Sequence, residues 1–373
     1  MVQQGRPEQV PVTIENDTDS KAIQEDSEVA QKGSSETGPT TVRDEQPVKE
    51  RHKGKKQQLG MSSLSKKGIR VLLGREFEMK DLGAAKKILG KEIRRDMSYK
   101  RLWLSQKSYI QKVLEKFDMA DSKPVSTPLV SHFRVSADQF PKSDDEIRDM
   151  AQVPYASAVR CLMYAMVCTR PDLAQAVSEV SKYMSNPGRD HWNDVKWILR
   201  YLKGTAEYGL RFGDLKCVAV LGYVDSDYAG DLDNRRYTTG YVFTLAEGPV
   251  SWRSVLQDVV AMSTMEAEYM AMGEAAKEAL WVQGLVAELS VERGGVLLHG
   301  DSQSAMYLAK NQVYRARTKH IQVTYHKIRE LVASGDILLE KVHTSENTAD
   351  MLTKPVTEEM FKHYLDLLNV FPC

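Results

Sequence analysis

Four acidic residues in this sequence have the types and settings needed to gather divalent metal ions. Asp225 lies in Gly222-Tyr223-Val224-Asp225-Ser226-Asp227, and Asp301 in His299-Gly300-Asp301-Ser302-Gln303. Asp350 closes Glu346-Asn347-Thr348-Ala349-Asp350, and Glu268 lies in Ser263-Thr264-Met265-Glu266-Ala267-Glu268-Tyr269-Met270-Ala271. In-line displacement at phosphorus is assisted by two metal ions about 3.5–4 Å apart, one activating water and one stabilising the leaving oxygen. Mg²⁺ takes oxygen ligands and retains several waters, so a few carboxylates from separate elements suffice. The expectation is that these four carboxylates meet and hold divalent ions over a phosphodiester. Ser263 with Glu266 forms a capping box, which assigns Glu266 to a helix start and leaves Glu268 for chemistry. Without a cation, such closely packed carboxylates resist joint ionisation, so at least one pKa should rise. Each acid also has a plain reading: Asp301 as an N-cap, Asp350 as a solvated charge, and Asp225, Asp227, Asp231 and Asp233 as turn residues.

These residues need elements to position them. The spacing predicts a strand over 218–224 ending at Asp225, a second over 237–245, and a third from 249–252 with 255–262. A long helix follows over 265–289, then a strand at 296–299 ending at Asp301, a helix over 302–310 and a helix over 320–333. A fifth strand covers 337–342, and Asn347 caps a short last helix stopped by Pro355. The order β-β-β-α-β-α-β-α, with carboxylates at strand ends and facing helix starts, predicts a mixed α/β layer. Upstream, 84–95 reads as a strand or short helix and 102–105 as a strand. An amphipathic helix then runs through Ile110, Val113, Leu114 and Phe117. Residues 121–153, punctuated by Pro124, Pro128 and Pro141, read as a wrapping loop, followed by helices over 156–168, 171–184 and 191–202.

Composition sets the limits. The chain has 373 residues and is 42% hydrophobic, enough for a sizeable core. Lys plus Arg and Asp plus Glu each number 51, so no net field announces a nucleic-acid partner, although local patches can cancel in the sum. Cys161, Cys168, Cys217 and Cys373 lack CxxC spacing, which fits a reduced intracellular protein without a zinc site. No apolar run reaches the ~18 residues of a membrane span, and no signal-peptide core opens the chain. Residues 1–63 are polar and aperiodic, a predicted disordered linker closed by the basic run Lys49–Lys56.

Residues 217–356 resemble the ribonuclease H domain of copia-type LTR-retrotransposon Pol polyproteins. The matching residues run Tyr223 to Asp231, Arg235 to Tyr241, Ser263 to Ala271, Asp301 to Ala305, Arg317 to Ile321 and Ala349 to Pro355. The resemblance implies a ribonuclease H-like fold with a mixed five-stranded sheet, cleaving the RNA strand of RNA–DNA hybrids with two Mg²⁺ ions, for which Mn²⁺ could substitute. It assigns catalytic and metal-binding roles to Asp225, Glu268, Asp301 and Asp350. Residues 75–212 resemble the later part of the copia-type reverse transcriptase. They match through Phe77 to Gly83, Leu104-Ser105-Gln106, Thr127-Pro128, Leu162-Met163-Tyr164, Thr169-Arg170-Pro171-Asp172 and Ile198 to Thr205. The expected organisation is therefore a linker over 1–63, a mainly helical thumb- or connection-like remnant over 64–216, the nuclease domain over 217–356, and a C-terminal helix and tail over 357–373. The polymerase Tyr-x-Asp-Asp turn is not found in residues 1–63, so polymerase activity is not expected.

The hybrid is expected to lie on a basic surface that includes Arg315, Arg317, Lys319, His320 and Lys327, with phosphate contacts giving salt-sensitive affinity. Trp252, Trp281, Tyr241 and Trp197 read as core, and His343 as a surface residue. The alternative function is a catalytically inactive or domesticated relic that binds nucleic acid or protein. Expected partners are the hybrid and other retroelement Pol or Gag products, in the cytoplasm or nucleus.

Overall fold

The computed structural model describes residues 83–130, 135–213, 219–227, 230–289, 294–311 and 322–373, the last with side chains from 327 onward. The expected linker over 1–63 lies outside them. No helix among the described residues is long and apolar enough to cross a membrane.

The first half builds a sheet backed by helices. Strands β1 (Lys87–Ile88), β2 (Lys91–Asp96) and β3 (Arg101–Ser105) form an antiparallel meander. Helices α1 (Lys107–Lys116), α2 (Asp144–Ala151), α3 (Tyr155–Thr169), α4 (Ala174–Ser181) and α5 (Arg189–Gly204) follow. The chain then returns to the sheet as β4 (Tyr208–Phe212), antiparallel to β3. The sequence reading of this region as mainly helical holds, but it misses α2, which lies within the stretch 121–153 expected as a loop, and it misses β4. It also misses the last strand of the protein, β10 (Val370–Pro372), which pairs antiparallel with β4 and completes the order β1-β2-β3-β4-β10. Both strands are short and gain their partners only across a long stretch of sequence, so local periodicity carries little trace of them.

The second half holds the mixed sheet. Strands β5 (Leu221–Asp227), β6 (Thr238–Leu245) and β7 (Gly248–Leu256) are antiparallel neighbours. Helix α6 (Thr264–Glu288) leads to β8 (Val296–Gly300), parallel to β5. Helices α7 (Gln303–Lys310) and α8 (Gln322–Ser334) precede β9 (Ile337–Lys341), parallel to β8. The order β7-β6-β5-β8-β9 is the ribonuclease H-like arrangement. One element differs from expectation: residues 257–262 do not extend the third strand, because Gln257 turns inward and the chain becomes the lead-in to α6. Helix α6 packs closely on the sheet because Ala267, Ala271, Ala275 and Ala279, one helical stripe at i, i+4 spacing, are all fully buried. Behind it, Val224, Phe243, Leu298 and Ile337 supply the sheet's side of that core.

A second apolar core joins the two halves. It contains Leu162, Leu173, Ile198, Leu202 and Leu210 from the first half together with Val242, Met351, Leu352, Phe361 and Val370 from the second. Helix α9 (Glu358–Leu367) packs into it through Phe361, Tyr364 and Leu365. The core is therefore continuous between the two halves, and the described residues belong to one compact unit.

Candidate active site

Asp225 sits near the end of β5, the central strand of the mixed sheet, and is 2% exposed. Its register partner on β6 is Gly240. A Cβ at Gly240 would lie 2.6 Å from Thr353 Cγ2 and 3.0 Å from Leu352 Cβ, so the bare glycine lets the final 3₁₀ turn, Thr348–Leu352, lie flat on the sheet. The Thr353 hydroxyl thereby reaches Asp225 and donates to its Oδ2. Asn347 caps the same turn and donates from Nδ2 to the Val224 carbonyl at 3.0 Å, fixing Asp350 against β5. Asp301 follows the end of β8, the parallel neighbour of β5, and its Oδ2 accepts from Thr344 Oγ1 at 2.8 Å. Two parallel strand ends and one short turn thus converge. One carboxylate oxygen from each of Asp225, Asp301 and Asp350 lies within 4.8 Å of the others.

Glu268 joins from α6. Ser263 caps that helix by accepting from Glu266 N, and the Glu266 carboxylate accepts from Met262 N at 2.7 Å, so Glu266 serves the helix start as expected. Gln257 anchors the same end: its Nε2 donates to the Ala267 carbonyl at 2.9 Å and to Thr239 Oγ1 at 3.1 Å. Glu268 is outside the set of mutually close aspartate oxygens, yet it feels all three. Burial first, then the charges of Asp225 and Asp301, push its carboxyl up to about 9. Burial and Asp225 likewise push Asp350 up to about 7. The expected rise in at least one carboxylate pKa is present.

The sequence reading gave Lys354 no role. Its Nζ lies 3.1 Å from Asp350 Oδ2, one helical turn earlier in sequence, and 3.5 Å from Asp225 Oδ2. Against its own partial burial, these two carboxylates hold the ammonium above its usual pKa. The available signal was the i, i+4 spacing of Asp350 and Lys354. Thr353 and Gln257 also escaped notice; each acts by orienting a group that bears the charge. Two oxygens still lack hydrogen-bond partners, the buried Asp350 Oδ1 and Glu268 Oε2. An all-oxygen donor set with unpartnered buried oxygens fits a hard divalent cation.

The remaining candidates divide. Arg315, Arg317, Lys319 and His320 lie outside the described residues. Lys327 is exposed on α8, 3.7 Å from Glu330. His343 is exposed and bonded to Ser345, as expected of a surface residue. Asp231 accepts from Asn234 N in a turn, and Asp233 accepts from Ala137 N and the Tyr183 hydroxyl. Trp281 is a correction: at 60% exposed it is not core but lines an open surface pocket with Trp252 of β7 and Met166 of α3.

Comparison with known proteins gives the family. Residues 60–131 match the family model described as "Reverse transcriptase (RNA-dependent DNA polymerase)". The Retrovirus-related Pol polyprotein from transposon TNT 1-94 of Nicotiana tabacum is 50% identical over 298 residues, covering 80% of this chain and 22% of its own length. The polyprotein from transposon RE2 of Arabidopsis thaliana is 35% identical over 270 residues, covering 72% and 18%. The chain thus spans about a fifth of these relatives. Among solved structures, LC11-RNase H1, isolated from compost, is 17% identical, with a TM-score of 0.29 and coverage of 40% of this chain and 99% of that one. The fold assignment itself comes from the strand order and the placement of the acids. With half its aligned residues shared with TNT 1-94, and with the motifs that bring its carboxylates together, the chain belongs to the retrovirus-related Pol polyproteins of copia-type transposons.

Proposed function

We propose that the ribonuclease H-like part of this chain hydrolyses the RNA strand of RNA–DNA hybrids with divalent cations, Mg²⁺ by preference and Mn²⁺ as a substitute. The observation that carries the reading is the convergence of Asp225, Asp301 and Asp350 within 4.8 Å, with Glu268 electrostatically coupled to them. Asp225, Glu268, Asp301 and Asp350 would hold the ions. When bound, such ions supply an activated water and stabilise charge on the leaving oxygen. The protein's own contribution is orientation. Thr353 fixes the Asp225 carboxylate, Thr344 fixes Asp301, and Asn347 ties the Asp350 turn to β5. Gln257 holds the start of α6, the helix that carries Glu268, whose carboxyl feels the charges of Asp225, Asp301 and Asp350. These contacts restrict the carboxylates before substrate arrives, so little reorganisation remains for the chemical step.

The test is cleavage of an end-labelled RNA–DNA hybrid in Mg²⁺ by the wild-type chain and by Asp301→Asn, with a chelator control. Asp301→Asn leaves the Thr344 contact possible but removes one anionic ligand. The expected result is cleavage by the wild type and none above the chelator control by the variant. Equal cleavage by both, or none by the wild type in Mg²⁺ or Mn²⁺, would overturn the proposal.

A further inference from the structure

Strand β7 stands at the edge of the mixed sheet, with β6 on one side and, among the described residues, no strand on the other. Its register with β6 fixes where its side chains point. Arg253 lies opposite Tyr241, which belongs to the core beneath α6, and Trp252 lies opposite Val242, which belongs to the core shared with the first half. Successive side chains alternate between faces, so Ser251, Arg253 and Val255 face α6, while Trp252 and Ser254 face α3 and α4. One cavity of about 590 Å³ is nevertheless lined by both sets. A cavity that touches both faces of one strand runs along that strand's free edge. Its walls come from both layers: Met163, Met166 and Val177 of α3 and α4 on one side, Glu278 and Trp281 of α6 on the other.

The edge offers unused backbone groups. Gln257 N donates to the Tyr237 carbonyl at 2.9 Å, one step beyond the pair of Leu256 with Thr238. Antiparallel pairs alternate between bonded and non-bonded, so Val255 and Arg253 also exchange their bonds with β6. The amides and carbonyls of Trp252 and Ser254 therefore point away from β6, towards the cavity. No described residue bonds them, and the Ser254 hydroxyl beside them is buried without a partner. Folded proteins usually cover or blunt such an edge. Here it is recessed between two helical layers and left open. Two charges line the same space on the α6 side: Arg253, and Glu278, which accepts from Ser251 Oγ at 2.6 Å.

We propose that the free edge of β7 is a peptide-docking site, which takes an extended segment of another protein as an added antiparallel strand. In strand addition the main chain supplies the bonds and pockets for alternate side chains supply the selectivity. The recess decides the occupant. The β7 edge of a second copy lies between the same two helical layers, so two such edges cannot meet before those layers collide. A single extended segment carries no flanking layers and enters. Side chains directly opposite one another share a face. Those of the segment opposite Trp252 and Ser254 meet Met163, Met166 and Val177, which calls for apolar residues. Those opposite Ser251 and Arg253 face α6, where charge complementarity calls for a base near Glu278 and an acid beside Arg253. A five-residue segment spans about 17 Å when extended, the length of residues 251–255 on β7.

The experiment is fluorescence anisotropy of the full chain in chelator with the labelled peptide acetyl-Thr-Val-Glu-Val-Lys-amide, which places its Val residues opposite Ser254 and Trp252. Saturable binding at millimolar peptide is expected. Methylating the two Val nitrogens removes the donors that face β7 and should abolish binding, whereas methylating the Glu nitrogen, which faces away, should leave it. Exchanging Glu and Lys in the peptide should weaken it about threefold or more, as should Glu278→Gln, the scale of a partly exposed ion pair. Ser254→Pro removes an amide that β6 does not use and should weaken binding about tenfold, the scale of one net hydrogen bond. Circular dichroism reports folding, and the exposed Trp281→Ala variant, also expected to bind more weakly, keeps the test open if Ser254→Pro fails to fold. Absence of saturable binding, equal loss from both methylations, or unchanged affinity in the folded variants would overturn the proposal. So would sedimentation of the wild type as a dimer that Trp281→Ala dissociates, which would make a second copy the occupant. Because no metal is present, these outcomes are independent of whether the carboxylates cleave.

Discussion

At the scale of single residues, the site is a balance among four carboxylates and one ammonium. Glu268 has a folded-state pKa of about 9, above the roughly 4.3 of a free glutamate. A carboxyl whose pKa is raised on folding contributes stability that is present below its unfolded value and is lost as pH rises through the folded value. The melting temperature of the metal-free protein should therefore fall between about pH 5 and pH 9, and saturating Ca²⁺ or Mg²⁺ should flatten that slope. Glu268→Gln, which copies the protonated shape, should raise the metal-free melting temperature near pH 8 while abolishing cleavage. Thermal melts across pH in chelator check both points. Lys354 works in the opposite sense, because its ammonium pairs with Asp225 and Asp350. Lys354→Met should lower the metal-free melting temperature, tighten Ca²⁺ binding measured by calorimetry, and lose its stability deficit once Ca²⁺ is present. A metal-insensitive deficit with unchanged affinity would reduce Lys354 to an ordinary ion pair. The acids were legible in the sequence because each occupies a recognisable element end. Lys354, Thr353 and Gln257 were not, because what marks them is proximity created by the glycine at 240 and by the turn of the chain after β7.

At the scale of elements, Thr169-Arg170-Pro171-Asp172 shows how a motif can belong to structure alone. Arg170 and Asp172 are both fully buried, joined through Arg170 Nη2 to Asp172 Oδ2 at 2.7 Å and Nε to Oδ1 at 3.0 Å. Arg170 also donates from Nη1 to the Thr205 carbonyl at 3.0 Å, and the Tyr201 hydroxyl donates to Asp172 at 2.6 Å. The pair thus joins the end of α3 and the approach to α4 to the end of α5, the point from which β4 leaves for the sheet. Removing one partner of such a buried pair strands the other charge, at a cost of about 3–5 kcal/mol. Arg170→Met should therefore lower the urea midpoint sharply, and Arg170→Met with Asp172→Leu should recover a large part of the loss. Helix positions were readable from apolar spacing, and α1, α3 and α5 lie close to their predicted spans. β4 and β10 were not readable, because a short strand is defined by its partner and these partners are more than a hundred residues apart.

At the scale of the molecule, the boundary drawn from sequence near residue 217 separates two motif sets but not two cores. Val242 on β6 and Met351 and Leu352 beside the carboxylate cluster share an apolar cluster with Leu162, Ile198 and Leu210. Trp252 on β7 donates to the Met166 carbonyl on α3 at 3.2 Å. The C-terminal strand closes the first sheet by pairing with β4. The turn that carries Asp350 is therefore backed by side chains from the first half, and the site geometry depends on both halves. A protein with one shared core unfolds as a single cooperative unit, with different probes reporting the same transition. Trp103, Trp192 and Trp197 report on the first half and Trp252 and Trp281 on the second. Thermal unfolding followed by tryptophan fluorescence should coincide with the loss of far-ultraviolet circular dichroism. Ca²⁺, for which the proposed ligands are all second-half carboxylates, should shift both transitions upward together, since binding to the native state stabilises everything that unfolds with it. Two separated transitions, with only the later moved by Ca²⁺, would show that the mixed sheet folds on its own and that the apolar contacts between the two halves contribute little to holding the site.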